Sequence, residues 1–297
     1  MTPDHRELRE LHEAAYPLRR LGSAGATLLS GGAVVIAAVP LVSILRWLLE
    51  RGLRGLSLRF FLAPIGERGV GMANAIVGTL ELIVLASAMG IPIGVVAGLF
   101  LSEARGSSIA RAARFCADVL AGVPSILVGM VVYATLVVRM RQFSALAGAG
   151  ALAILMLPLV ARTTDELART VPDSLREAAL ALGAPRWRTA VQVVLKTAAP
   201  GIRTGCMLAV ARVAGETAPL LFTAYNNRFW NESLEDPTST LQVQIFTYTL
   251  TPNEDWHAQA WAAALVLVVL VVLLGVLARY AAPRHASRSS TRSTRTS

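Results

Sequence analysis

The chain has 297 residues, of which 54% are hydrophobic and 16% charged, and its mean hydropathy is +0.55. That is too little charge to cover a soluble domain of this length. The apolar residues also run in long blocks rather than in alternation, so the class is an all-α polytopic membrane protein. The net charge of +9 comes almost wholly from arginine, with Lys196 the only lysine. Its placement between apolar blocks fits orientation in a lipid bilayer and argues against nucleic acid as a partner.

In chain order, residues 1–25 carry mixed charge ahead of any apolar run and read as a cytoplasmic segment. The first apolar block, 26–49, lacks a small-residue cleavage site and reads as a retained span. The second, 73–101, holds Gly90, Gly94 and Gly98 at four-residue spacing around Pro92, a pattern that lets two helix backbones approach closely. Further spans are expected at 117–138, 144–161, 200–224 and 258–281. Each is near or above the ~20 residues that cross ~30 Å of hydrocarbon, which gives about six transmembrane helices in a membrane domain at 26–282. The tail, 283–297, is rich in Ser, Thr and Arg; its composition predicts disorder and a basic surface for anionic lipid.

Basic residues set the expected topology. Arg6, Arg9, Arg19 and Arg20 precede span 1, Arg105, Arg111 and Arg114 follow span 2, and Arg162, Arg169, Arg176, Arg186, Arg188 and Lys196 follow span 4. The loop after span 5 has Arg228 against Glu232, Glu235, Asp236, Glu254 and Asp255. Both termini are therefore expected in the cytoplasm. The loop after span 1 dissents, with Arg46, Arg51, Arg54, Arg59 and Arg68; snorkelling along the interface is the expectation there. Cys116 and Cys206 show no disulfide or metal spacing, and His5, His12, His257 and His285 lie at ends or in loops. No span thus offers a histidine base or a zinc site, which argues against an intramembrane enzyme.

The loop between spans 4 and 5 is patterned. In "PDSLREAALALGAPRW" (172–187), Ser174 and Glu177 have capping-box spacing, the alanines and leucines favour helix, and Gly183 with Pro185 ends it. A short cytoplasmic helix at about 172–185 is expected, and by local signals alone it is a capped connector. No Gly-x-x-x-x-Gly-Lys-Ser/Thr occurs anywhere, so the chain has no visible ATP site of its own.

In span 5, "LAVARVAGETAPLL" (208–221) carries two opposite charges, Arg212 and Glu216. As one helix, Gly205, Ala209, Arg212, Glu216, Pro219 and Thr223 share a small, polar face that should turn inward. A planar guanidinium suits an oxyanion in transit, with Glu216 holding it. The pair alternatively fixes packing, or couples movement without touching substrate. Thr217 adds a hydroxyl. Glu81, on the Asn74 face of span 2, either partners Arg212 or another span's arginine, or lies near the outer water interface.

"EAALALG" (177–183) resembles the EAA loop of bacterial ABC importer permeases, with Lys196 where the general pattern has proline. "ARVAGETAPLLFTA" (211–224) with "NNRFW", "NAIVGTL" (74–80), "PIGVVAGLFLSE" (92–103) and "GVPSILVG" (122–129) are similar to the phosphate branch of that family, over roughly residues 20–282. The resemblance implies a MetI-like permease fold for 26–282 and inorganic phosphate as cargo. It makes the loop helix a coupling helix, with Glu177, Ala178, Ala179 and Gly183 docking on a separate ATPase. It also implies a heterodimer with a second, PstC-like permease, a PstB-like ATPase dimer that binds ATP and Mg²⁺, and a PstS-like phosphate-binding protein. No cofactor is expected on this chain. The alternatives within the resemblance are the partner permease itself or a permease for another oxyanion. A secondary transporter is the alternative outside it, for which no internal repeat is visible.

Overall fold

The computed structural model describes residues 5–66 and 71–281, with side chains described within 25–66 and 71–277. The expectation for the 283–297 tail lies outside the described residues. Among the described residues all regular structure is helical. Five helices are long and apolar enough to cross a membrane, and a sixth span results if one bent pair is counted together.

The first helix, α1 (His5–Gly55), is longer than the expected 26–49 span because the preceding residues, including "HRELRELHEAA", are themselves helix formers. No residue of its most apolar 18-residue stretch is buried within the chain. The short α2 (Leu58–Leu62) follows, capped by the Ser57 hydroxyl. Two arginines of this region have local partners: Arg46 pairs with Glu50 at 2.7 Å, and the Arg51 guanidinium lies 4.5 Å from the Trp47 ring and 5.4 Å from that of Trp261. Cation–π contact with a pair of tryptophans gives Arg51 a role independent of the charge-bias rule.

The centre is the pair α3 (Ala73–Glu103) and α6 (Ala145–Arg169). The glycine ladder is the seam between them: a Cβ on Gly90 would stand 3.3 Å from the Ala153 carbonyl oxygen, and one on Gly94 would stand 2.7 Å from the Val160 Cβ. At Gly98 a Cβ would collide with the Ala161 carbonyl oxygen. Leu82, Ala86, Leu152, Met156 and Val160 fill this core, joined by Ile202, Val210 and Val213 of α8 (Arg186–Val213).

Expected span 3, 117–138, is not one helix. The chain forms α4 (Ser108–Gly122) and α5 (Ser125–Met140), which meet at 101°. Pro124 explains the break: it has no N–H to donate, and it forces Val123 out of the helical region, to ψ 131°. The expected fifth span, 200–224, also differs. Its helix runs from Arg186 to Val213, and a separate α9 (Ala218–Thr223) follows. Then come α10 (Leu241–Thr249) and the last span, α11 (Glu254–Ala281).

Hydrogen bonds sort the loops to two ends. The N–H groups of Ser144, Ala145 and Leu146 donate to carbonyls of Thr223, Asp236 and Leu234, and Asn74 Nδ2 donates to the carbonyls of Asn227 and Phe229. Arg105, Arg114 and Arg176 bind at the other end, where α3 and α6 finish. There α7 (Asp173–Ala181) projects between α6 and α8.

Candidate functional site

Arg212 lies in the last turn of α8 and is exposed; Glu216 and Thr217 are half-buried. The helix stops at Val213, the Gly215 N–H donates to the Arg212 carbonyl at 3.3 Å, and α9 begins at Ala218. The expected continuous face from Gly205 to Thr223 is therefore corrected: Arg212 and Glu216 flank a break and are not one turn apart on a helix. Pro219 is the cause. In a continuous helix its ring would press on the Gly215 carbonyl and one hydrogen bond would be lost; in the first turn of a new helix neither penalty arises. Gly215 adds its low helix propensity. Among the described residues no ion pair joins Arg212 and Glu216, and neither has another ionic partner.

Glu81 does not meet Arg212 either. Its two carboxylate oxygens accept from Asn231 Nδ2 at 3.0 and 3.3 Å, so it faces the 224–240 segment. Asn74, one face-repeat earlier, holds the same segment and accepts from the Ile65 N–H at 3.1 Å.

Beneath the break lies a buried polar cluster that sequence reasoning missed. Gln242 Nε2 donates to the Ala214 carbonyl at 2.5 Å, which anchors the end of α8. The Thr79 hydroxyl accepts from the Leu241 N–H at 2.9 Å and donates to the Ala75 carbonyl at 2.7 Å. Asn226 Nδ2 donates to Gln244 Oε1 at 2.9 Å, and the Ser239 hydroxyl donates to Asn226 Oδ1 at 3.1 Å. The visible signal was "LQVQIF" (241–246), two glutamines in an apolar run, where buried amides demand partners. Gln242→Leu leaves the Ala214 carbonyl unpaired, at a cost of about 1–3 kcal/mol. Thermal unfolding in detergent is expected to show a lower midpoint for this variant, and for Thr79→Val.

At the opposite end, α7 forms where the short loop helix is expected, with different punctuation at its start. Pro172 is the N-cap residue, with no side-chain cap bond, so the expected Ser174–Glu177 capping box does not form. Entry two residues earlier puts Pro172, not Ser174, at the N-cap and Asp173 first in the helix, and the Asp173 carboxylate lies 3.5 Å from Arg105. The stop is as read. Gly183 has φ +83°, its N–H donates to the Leu180 carbonyl at 2.9 Å, and the Ala184 N–H reaches back to that of Ala179 at 3.1 Å. This is the paired closure a left-handed glycine permits. Glu177, Ala178 and Gly183 are exposed and Ala179 is half-buried. Leu182 is 89% exposed and Trp187 63%, so this end presents apolar surface with nothing of its own chain over it.

Among the described residues, five to six candidate spans around a glycine seam, a broken helix bearing an unpaired arginine and an exposed helix at one end have the make-up of a membrane transport permease. Residues 90–287 match the family described as binding-protein-dependent transport system inner membrane component. A phosphate transport system permease protein PstA from Yersinia pestis is 43% identical over 284 residues, 94% of this chain and 96% of that protein. Its counterpart from Mycobacterium leprae is 37% identical over 281 residues, 91% and 92% of the two chains. An inward-facing MetNI methionine ABC transporter superposes with a TM-score of 0.61 at 18% identity, over 72% of this chain and 96% of that one, which shows the fold. The chain belongs to the PstA family of phosphate transport permeases within the binding-protein-dependent ABC importers. It is thus a transmembrane subunit for phosphate import.

Proposed function

We propose that phosphate in transit binds Arg212, and that α7 is the coupling helix on which a separate ATPase docks. The observation that carries the first part is the exposed Arg212 guanidinium, which has no carboxylate partner among the described residues. A full charge on a spanning helix costs about 3 kcal/mol even on the lenient insertion scale unless it faces water or a counter-ion. An oxyanion supplies that counter-ion, and the guanidinium fork matches two of its oxygens. Glu216 and Thr217 line the same break, and Glu81 sets the entrance by holding the 224–240 segment.

The names of the relatives and the exposed α7 support the rest. A PstC-like second permease completes the path as a heterodimer, a PstB-like ATPase dimer holds ATP and Mg²⁺, and a PstS-like binding protein delivers phosphate against the acidic 232–236 end. In this arrangement α7 and both termini face the cytoplasm, and the membrane is the inner one. The test is uptake by the assembled transporter carrying Glu177→Lys or Gly183→Asp. Uptake and transport-linked ATP hydrolysis are expected to fall to background, because Gly183 needs its left-handed backbone and Glu177 lies on the docking face. Leu180→Cys is expected to crosslink to the ATPase; crosslinking to the binding protein instead reverses the topology and defeats the reading.

A further inference from the structure

We propose that Arg176 is the residue that passes movement of α7 to the membrane bundle; the proposal rests on reading α7 as the helix that meets the ATPase. The starting point is that α7 buries none of its residues. A helix without buried apolar contacts is not gripped by packing, so a push on it reaches the bundle only through its covalent ends and through specific polar links. Beneath it lies a cleft of about 650 Å³, lined by Phe100, Glu103, Leu180, Trp187 and Val191 with Arg176 itself, into which the helix has room to rock.

The covalent route at the C-terminal end is indirect. It passes the left-handed turn at Gly183 and then a π turn at Ala190–Leu195, where the regular hydrogen-bond ladder of α8 is interrupted. Arg176 is direct. Its side chain is only 11% exposed. One Nη pairs with the Glu103 carboxylate on the last residue of α3, the other donates to the Ala168 carbonyl in the last turn of α6 at 2.7 Å, and Nε lies 3.4 Å from Asp173. A single guanidinium thus ties α7 to the ends of both central helices. Arg105–Asp173 is a second link, but at 3.5 Å and with both side chains well exposed it is weak.

What Arg176 holds matters as much as how. α3 and α6 are packed backbone to backbone along the Gly90–Gly94–Gly98 seam, so a force on one is transmitted to the other. At its far end α3 carries Thr79, whose hydroxyl holds the Leu241 N–H at the start of α10, where Gln242 holds the Ala214 carbonyl beside Arg212. The load path from α7 therefore ends at the break that bears the arginine. Lysine replaces Arg176 only in part, since one ammonium keeps the charge but does not span a carboxylate and a carbonyl in a fixed fork.

The test is the ratio of phosphate imported to ATP hydrolysed in proteoliposomes containing the complete transporter. With Arg176→Gln, the ATPase is expected to remain bound and to hydrolyse ATP while the ratio falls roughly tenfold or more, the size associated with loss of a charge-assisted hydrogen bond. Arg176→Lys is expected to be intermediate. A merely structural role would lower assembly and leave the ratio of the assembled fraction unchanged, and that result overturns the proposal. If Arg176→Gln fails to assemble, Glu103→Gln tests the other side of the same bond, again with a fall in ratio expected and an unchanged ratio contradicting it. Loss of ATPase binding in Arg176→Gln would place Arg176 on the docking face and also overturn it. Failure of the Leu180→Cys crosslink removes the docking reading and with it the premise of this proposal, and it is distinguished from failure of the Arg176 link alone, in which the crosslink forms and the ratio of Arg176→Gln is unchanged.

Discussion

Arg212→Gln is expected to abolish phosphate uptake by the assembled transporter and to leave its assembly intact. Arg212 is exposed and makes no ion pair among the described residues, so its removal breaks no contact inside the chain. If phosphate binds Arg212 as proposed, the variant loses a pair of charge-assisted hydrogen bonds to the anion, each worth about 1.5–3 kcal/mol. Together they correspond to a loss of roughly two to four orders of magnitude, beyond the floor of a radiolabelled phosphate assay. Arg212→Lys keeps the charge without the fork and retains a measurable fraction. Glu216→Gln separates the two roles read from the sequence. Because the break holds Glu216 away from Arg212, neutralising it is expected to reduce uptake far less than Arg212→Gln, and its effect to be nearly additive with that of Arg212→Lys, which stays measurable. Normal uptake by Arg212→Gln removes the oxyanion role. Equal losses in Arg212→Lys and Glu216→Gln, with no further loss in the double variant, restore the pair as a unit.

The elements that the sequence made legible are those whose signal is local. Gly90, Gly94 and Gly98 announce a seam because three small residues on one face have no other use in an apolar helix, although the sequence does not say that α6 is the partner. Gly183 announces a stop because only glycine accepts φ +83° without strain. The break in span 3 is hidden because hydropathy runs unbroken through Val123–Pro124, and that in span 5 because the apolar residues on both sides of Gly215–Glu216 let Arg212 and Glu216 pass for neighbours on one helix. The prolines at 124 and 219 were the available signals, and each acts on the residues before it. The polar cluster was invisible for a different reason. Thr79 and Leu241 are 162 positions apart, and nothing in either neighbourhood names the other. Arg176 was counted as one positive charge among several. Its reach to Glu103 and Ala168 depends on where α3 and α6 happen to end, which is a property of the assembled bundle.

Gly98→Leu is expected to prevent the protein from accumulating as a folded membrane species, and the three seam glycines are expected to respond in order. At Gly98 an added Cβ meets the Ala161 carbonyl oxygen, and also lies 2.6 Å from Thr164 Cβ and 3.0 Å from the Asp165 nitrogen. Two of those three are backbone atoms of α6, which cannot turn aside, so the helices must part. Parting them also pulls on Asp165, whose buried carboxylate is bridged by Arg114 and Arg169 at 2.8 Å each, and a buried charge that loses its partners is costly. At Gly94 the obstacle is the Val160 side chain at 2.7 Å, a β-branched residue with little rotamer freedom in a helix. At Gly90 the nearest atom is 3.3 Å away, and a shift of a few tenths of an ångström accommodates it. Alanine at Gly98 and Gly94 is therefore expected to cost about 1–3 kcal/mol, as overpacking does elsewhere, with Gly98 the worse. Gly90→Ala is expected to cost less, and Gly275→Ala, where an added Cβ meets nothing within 4 Å, to be neutral. Thermal unfolding in detergent orders the alanine variants, and the folded fraction extracted from membranes reads Gly98→Leu. A Gly98→Ala midpoint equal to that of Gly275→Ala would show that α3 and α6 do not meet along this face, and with that the rigid pair on which both Arg114 and Arg176 pull would be lost.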